Sequence, residues 1–354
     1  MRTPSQSSVS VGAPPSDREP VVSGWRRATD REWDDAVDGC AHATFFHTRE
    51  WAEVWAAYTG GAVTPGAWHA TFDDGTTAVL PANERTILGL PVVGRVSPQL
   101  RTVMSSYGST YGGWVGADRL TPAHHRALWE RTRTLNLAMT QNPFDAGVAA
   151  AGLPWTRHDA THVVTLPDDP AELRRGWSRD HASAVNKAGR AGLTVVEART
   201  EAQWRDYLRI YALSVERWDD PLVVHREELF RALAESRSGK VRLWLAVHDG
   251  AAVAGAICLY QGPIVAYWHG ALDAAHQELR PATFLHAHVM RRAAEDGYRW
   301  YDFGPSGGQS GVMAFKQRFG AEERDVNSAV HHAPLKRRLH RARAALRGGE
   351  ATPA

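Results

Sequence analysis

Residues 300–326 read WYDFGPSGGQSGVMAFKQRFGAEERDV, and four kinds of local structure succeed one another in that run. Trp300-Tyr301-Asp302-Phe303 has the aromatic content of a short core strand. Gly304-Pro305-Ser306-Gly307-Gly308 then stops regular structure by removing Cβ atoms and one backbone donor, which lets a ligand approach main chain. Val312, Phe315 and Phe319 recur at helical spacing, so the pattern predicts a helix with Lys316 and Gln317 at the edge of an apolar stripe and Gly320 as its C-cap. A second strand runs on to Val326. The order holds a cation at the mouth of a sheet, although a solvated lysine on an ordinary helix accounts for this stretch taken alone equally well.

Composition bounds the rest. A chain of 354 residues, 43% of them hydrophobic, supports two domains with a core in each. Cys40 and Cys258 lie far apart and form no CxxC or Cys/His cluster, so neither a disulfide framework nor a structural zinc site is indicated, and a reducing cytosol fits. Residues 1–23 lack a basic n-region and an apolar h-region and read as a disordered leader. No later stretch approaches the roughly 20 apolar residues needed to span a bilayer. The net charge is +2, but Lys336, Arg337, Arg338, Arg341, Arg343 and Arg347 gather in the tail, residues 334–354. There Leu335, Leu339, Ala342 and Leu346 form a partial apolar stripe, which suits either a surface helix that visits anionic lipid or RNA or a plain solvated tail.

In chain order, helices are expected over Asp30 to Val37 and Thr48 to Tyr58, a hairpin around Asp73-Asp74-Gly75, and strand-like pieces through Leu90 to Val96. Met104 to Gly116 (MSSYGSTYGGWVG) is a loop long enough to suggest a cleft wall, with Tyr107 and Tyr111 in it. A helix from Pro122 and a strand at Leu135 to Gln141 close a first domain, 24–160. The second, 161–333, opens with a strand at His162 to Leu166. A basic helix comes next over 171–190 with Arg174, Arg175, Arg179, Lys187 and Arg190, then a strand at Leu193 to Ala198 and two helices marked by Trp204 to Trp218 and by Leu229 and Leu233. Three strands, Val241 to His248, Val253 to Tyr260 and Ile264 to Ala271, form a meander. A helix from Pro281 then leads to Trp300.

The second half collects as β-α-α-β-β-β-α-β-α-β, with the strand at Trp300 diverging from the meander. That order resembles the GNAT acyltransferase fold, and the first half repeats parts of it. The expected class is therefore α/β (α+β): two tandem GNAT-like domains, each a mixed central sheet flanked by helices. The chain resembles the Fem-type aminoacyltransferases and their FemAB-like relatives over roughly residues 24–330. The likeness rests on Phe45 to Trp51 (FFHTREW), Arg179 to Leu193, Tyr301 to Gly304, and Phe315-Lys316 followed by Phe319-Gly320.

The resemblance implies direct attack of an amine on an acyl ester or thioester, with no covalent enzyme intermediate. Lys316 then meets the developing negative charge, Phe315 packs beneath the acyl donor, and Asp302 is the candidate general base or amine-orienting carboxylate, or else a loop cap. Lys316 in an ion pair with Asp302 or Glu322 is the structural alternative. Gly304, Ser306 and Gly307 give main-chain approach. Tyr267, Trp268 and His269 on the third meander strand alternate faces, so that only some of them reach a cleft, with His269 the alternative proton acceptor. Arg179 and Lys187 are expected to meet donor phosphates. A Gly-x-Ser-x-Gly nucleophile elbow also matches 304–308, but glycines follow the serine and fewer than fifty residues remain to carry an acid and a histidine, which excludes it. His286 and His288 fall on different helix faces, so no metal site is read.

Acetyl-CoA-dependent GNAT enzymes hold pyrophosphate on a glycine-rich turn at the helix after the meander. Here that place reads Gln277-Glu278-Leu279-Arg280-Pro281-Ala282-Thr283. Arg280 is present and both glycines are absent, so Arg280 and Thr283 are donor-site candidates, and the Fem-type likeness points to aminoacyl-tRNA ahead of acyl-CoA as co-substrate, with no tightly bound cofactor. The expected acceptor is an amine on a peptide, peptidoglycan precursor (cell wall biogenesis) or small molecule. The expected location is cytoplasmic, with peripheral contact to anionic membrane through the tail. Two alternatives stay open: an acyl-CoA-dependent N-acyltransferase, and a non-catalytic RNA- or membrane-binding protein of the same fold.

Overall fold

The computed structural model describes residues 18–86, 101–105, 107–108, 110–217 and 224–333. The piece at Leu90 to Val96, Trp218, most of the leader and the basic tail lie outside the described residues. Strand β1 (Val22–Arg27) begins inside the span assigned to the leader.

Two mixed sheets carry the chain. The first has the order β1-β2-β3-β4-β5-β13, with β2 (Thr64–Phe72), β3 (Thr77–Thr86), β4 (Arg101–Met104), β5 (Asn136–Thr140) and β13 (Ser328–Val330). The second runs β12-β6-β11-β10-β9-β8-β7, with β6 (Ala160–Thr165), β7 (Thr194–Glu197), β8 (Val241–His248), β9 (Ala251–Gln261), β10 (Ile264–Leu272), β11 (Trp300–Pro305) and β12 (Glu322–Asp325). The strand expected at Leu193 to Ala198 is β7, at one edge of this sheet. Helices α1 (Asp30–Gly39), α2 (Arg49–Tyr58), α3 (Pro122–Thr132) and α4 (Ala146–Ala150) belong to the first half; α5 (Arg179–Arg190), α6 (Glu201–Val215), α7 (Glu227–Ala234), α8 (Pro281–Glu295) and α9 (Ser310–Gln317) belong to the second.

Local chemistry sets these bounds. Thr48 caps α2 by accepting from the Trp51 N–H at 3.1 Å, and the helix turns Trp51, Val54 and Trp55 inward. The single basic helix expected over 171–190 is two pieces, a 3-10 turn at Pro170–Gly176 and then α5. Ser178 causes the break, because its hydroxyl accepts from His181 N at 3.2 Å and starts a new helix. Strand β11 also continues through Gly304 and Pro305, so the turn begins at Ser306.

The two sheets repeat one plan. In each, an antiparallel meander (β2-β3-β4, β8-β9-β10) ends in a strand that pairs in parallel with the strand after the next helix, and that parallel pairing lasts three residue pairs. Beyond the third pair the sheets differ. In the first sheet the chain itself fills the gap: Ser105 N donates to Ala138 O at 2.9 Å and Gly112 N to Thr140 O at 2.9 Å. The described part of the glycine-rich loop, at Ser105 and Gly112, is therefore a backbone plug. In the second sheet nothing comparable crosses among the described residues.

The halves share a core. Phe45, Trp51 and Trp55 pack with Tyr207, Tyr211 and Phe230 in one buried cluster, which ties the domains together by burial of aromatic surface. A second cluster lies under α8 and a third fills the first domain. Strand β13, inside the span assigned to the second domain, pairs with β5 of the first sheet.

The plug requires Gly112: a Cβ there would lie 1.8 Å from Ser105 O, and the bond to Thr140 prevents a backbone shift. Gly112→Ala is expected to destabilise by at least ~2 kcal/mol, as overpacking against fixed backbone does, read as a lower Tm or urea midpoint. Gly75→Ala, at an open turn with no atom within 4 Å of the added carbon but with φ +89°, is the comparison expected to cost less, about 1 kcal/mol.

Candidate active site

Strands β10 and β11 pair from Ile264 with Trp300 to Ala266 with Asp302 and then part. Past that point β10 stays on β9 and β11 leans on β6. Their facing edges thus lose ladder partners, and backbone groups stripped of a ladder need water, side chains or a ligand. A cleft of about 190 Å³ lies on the β9 side of β10, lined by Ser214 of α6, Ala254 and Gly255 of β9, Tyr267, Gly270 and Leu272 of β10, and Ala282, Leu285 and His286 of α8. Gly304 takes φ 72°, and a Cβ on it would sit 3.6 Å from Tyr267 O.

Lys316 stands at the end of this parting. The expected geometry is inverted: Val312 is 37% exposed, Phe315 is half-buried and Lys316 is 3% exposed. The lysine is the buried residue of α9 because its ammonium finds three acceptors under the turn. Its Nζ donates to Gly304 O at 2.6 Å, Pro305 O at 3.0 Å and Ser306 Oγ at 3.0 Å, which uses all three of its hydrogens. No carboxylate pairs with it at ion-pair distance among the described residues, so neither Asp302 nor Glu322 is its salt-bridge partner. Burial pushes its pKa down to about 8, against the raising influence of Asp302 and Asp159. Two of the acceptors are fixed carbonyls; the third is a hydroxyl that can rotate away. The arrangement can therefore release one N–H toward a developing oxyanion without dismantling the turn.

Asp302 is 1% exposed. Its Oδ1 accepts from Thr161 Oγ1 at 2.6 Å and from Gly304 N at 2.9 Å. Burial raises its pKa, opposed by those two donors and by the Lys316 charge. Through those bonds the carboxyl caps the turn, as the loop-cap alternative has it, while its raised pKa beside the Lys316 charge suits a general base as well. Tyr111, placed in a cleft wall by its loop, is instead 2% exposed and buried against Phe46, with ring centroids 5.6 Å apart. Burial raises the pKa of its hydroxyl, and the neighbouring Asp302 charge raises it further.

The other expected residues disperse. A bulge in β10 between Tyr267 and His269 breaks the alternation of faces, so Trp268 and His269 lie on one face together. Trp268 stacks on His225 with ring centroids 5.7 Å apart and meets Trp51 at 5.5 Å. His269 Nδ1 bonds the Tyr207 hydroxyl, and burial, then His225, pushes its pKa down to about 3, which keeps the ring neutral. Tyr107 packs on Trp55 at 4.9 Å. Arg280 is exposed with φ 54° at the start of α8, and Thr283 is buried in its first turn. Arg179, Lys187 and Gly307 are exposed.

Residues missed in the sequence complete the site. Phe315 packs on His181 at 5.2 Å and on His286 at 5.7 Å. His286 Nδ1 is bonded to the Tyr301 hydroxyl at 2.7 Å, and burial, then Lys316 and His181, pushes its pKa down to about 3. His162 is buried with both ring nitrogens unbonded, its pKa lowered by burial and then by Lys316. The signal for Tyr301 was strand alternation, which sets it opposite Asp302; for His286 it was position, one turn into the helix that borders the parting.

Residues 174–317 match the family model described as an acetyltransferase (GNAT) domain. In fold, the second half is a GNAT domain. No curated protein matches the sequence. Among solved structures, FemX is similar with a TM-score of 0.65 at 16% identity, covering 88% of this chain and 98% of its own. A conserved protein of unknown function from Bacteroides thetaiotaomicron VPI-5482 matches with a TM-score of 0.54 at 12% identity, over 88% of this chain and 100% of that one. The C-terminal domain of an Agrobacterium fabrum protein assigned as a lysylphosphatidylglycerol synthetase gives a TM-score of 0.50 at 13% identity, over 86% and 92%. These likenesses carry the tandem GNAT-like fold across both halves. Among the described residues no three His, Cys, Asp or Glu are grouped to hold a metal, and no helix is long and apolar enough to cross a membrane.

The lowered Lys316 pKa makes a pH prediction with a definite sign. Between pH about 8 and 10.5 the unfolded chain keeps the proton that the folded chain has lost, so stability rises with pH in that window. The Tm difference between the wild type and Lys316→Met is expected to move in favour of the wild type as pH rises through it. A difference that is flat across the window would mean that the lysine is not held in a desolvated site.

Proposed function

We propose that the protein is an N-acyltransferase that passes an aminoacyl group from aminoacyl-tRNA directly to an amine of a peptide, a peptidoglycan precursor or a small molecule. The observation that carries the reading is the buried Lys316 ammonium at the point where β10 and β11 part. The neutral amine attacks the ester carbonyl carbon, the carbonyl oxygen becomes an oxyanion, and the C–O bond to the ribose breaks as the amine proton passes to the leaving oxygen. Lys316 swings its third N–H from Ser306 to the oxyanion, with Phe315 beneath the acyl group. Asp302 keeps the turn in place through Gly304 N. The donor is a co-substrate, and the proposal needs no resident cofactor.

For the donor, the start of α8 supports RNA over CoA. Pro281 has no N–H, and Ala282 and Thr283 carry side chains where a pyrophosphate needs close main chain. Exposed Arg179 and Lys187 offer phosphate contacts instead. Acyl-CoA is the second reading, favoured by Arg280 at the same helix start and by the open parting itself.

Lys316→Met is expected to lower the rate by about 10²–10³, the loss typical of one oxyanion donor. Ser306→Ala is expected to keep most activity, because both carbonyls still hold the lysine. Turnover of Lys316→Met near that of the wild type, at an unchanged Tm, removes the lysine from the chemistry; a dead Ser306→Ala protein would revive the hydrolase reading.

Equilibrium binding of the purified protein to acetyl-CoA and to total aminoacylated tRNA across a salt series separates the donors. The expected result is salt-steep tRNA binding blocked by an aminoacyl-adenosine mimic. Salt-insensitive acetyl-CoA binding without tRNA binding defeats the tRNA assignment and leaves acyl transfer standing.

A further inference from the structure

Helix α8 borders two clefts. Its Ala282, Leu285 and His286 line one against β9, β10 and α6, whereas its Phe284, Ala287, His288 and Arg291 line a larger one, of about 600 Å³, closed on the other side by the Pro170–Gly176 turn and α5. Nothing in the catalytic reading uses this second cleft. Its walls are apolar and aromatic at Leu173, Trp177, Val185 and Phe284, and it is ringed by Arg174, Arg190 and Arg291, with no carboxylate among the described lining residues.

Those three guanidiniums come from three different elements. Arg174 donates to neutral groups, Asn186 Oδ1 at 2.7 Å and Ala182 O at 3.3 Å, and its guanidinium lies 5.6 Å from the Trp177 ring centroid. Arg291 pairs with Glu295 at 2.9 Å. Arg190, in the last turn of α5, is exposed and has no carboxylate within ion-pair distance among the described residues. The cleft is therefore net cationic and has two flat aromatic side chains. Cations spread around an aromatic pocket suit a ligand with a flat ring and phosphate on more than one side, which is the chemistry of a nucleotide: the base stacks and the phosphates meet arginines. A single anionic headgroup on an alkyl chain needs one cation and no aromatic face. The volume lies within the range of small-molecule sites.

We propose that the cleft between α5, α8 and the Pro170–Gly176 turn is a nucleotide-binding subsite. Given the acyl-transfer reading, on which this last step rests, the nucleotide is a non-reacting part of the acyl donor, lodged beside the same helix whose His286 packs on Phe315 at the reacting end.

The test is titration of the full chain with adenosine 3′,5′-bisphosphate and cytidine 3′,5′-bisphosphate, using octyl phosphate as competitor, for the wild type, the Arg190→Gln/Arg291→Gln double variant and Lys316→Met. The expected result is one-to-one binding of at least one bisphosphate, weakened at least tenfold in the double variant, unchanged in Lys316→Met and not displaced by octyl phosphate. Preference for the adenosine compound points to a CoA-type donor and preference for the cytidine compound to an RNA tail; either supports the subsite. A folded double variant that binds like the wild type overturns it, as does displacement by octyl phosphate or the absence of binding to a folded wild type. Acyl transfer is assayed separately on a simple amine. Loss of the subsite with acyl transfer intact refutes only this inference, while bisphosphate binding without acyl transfer refutes only the catalytic reading.

Discussion

Two parallel strands that share three residue pairs and then separate leave backbone groups with nothing to bond, and a protein interior does not tolerate many such groups. In the second sheet, the carbonyls of Gly304 and Pro305 just past the parting are met by an ammonium. That bond explains why a lysine on a surface helix is buried, why Gly304 is bent into a left-handed conformation over it, and why Asp302 spends its Oδ1 on the Gly304 N–H. Catalytic potential and structural necessity are the same contact here, since the cation that repairs the broken ladder is also a partly desolvated charge with one exchangeable partner.

The first sheet meets the same demand differently. There the chain doubles back, and the amides of Ser105 and Gly112 supply the missing donors. One copy of the plan is thus sealed with main chain and the other left open with a side chain across it. The sealed copy still serves the open one, because its loop places Tyr111 against the Thr161 and Asp302 pair and its aromatic helix α2 packs beneath Trp268.

Much of this was legible in the sequence. The meander, the helix from Pro281, the diverging strand and the Lys316 region were readable because each is local: alternation, a proline at a helix start, glycines at a turn. The orientation of α9 was not. Val312, Phe315 and Phe319 form an apolar stripe, and by hydrophobicity Val312 outranks Lys316 for burial, yet two carbonyls distant from the helix pull the lysine inward, and no periodicity encodes them. The β10 bulge that turns Trp268 and His269 to one face is hidden for the same reason, since register depends on the partner strand. The break at Ser178 was readable in principle: a serine three residues ahead of His181 is a cap signal, masked by the continuous run of basic residues around it. His286 and His162 became visible as site residues only with neighbours that lie far away in sequence.

Strand β13 leaves the second sheet's territory and closes the edge of the first, with Leu137 and His331 exchanging backbone bonds of 3.1 and 2.6 Å just beyond it. The last described segment therefore works as a fastener between the halves. A ribosome making this chain completes every other described helix and strand of the second unit before it releases the piece that covers the open rim of the first, so until β13 emerges Asn136–Thr140 presents an unpaired edge of the kind that recruits other chains. Circular permutants or split versions that begin at residue 328 would supply that piece first and reverse the order in which the two units become safe from self-association.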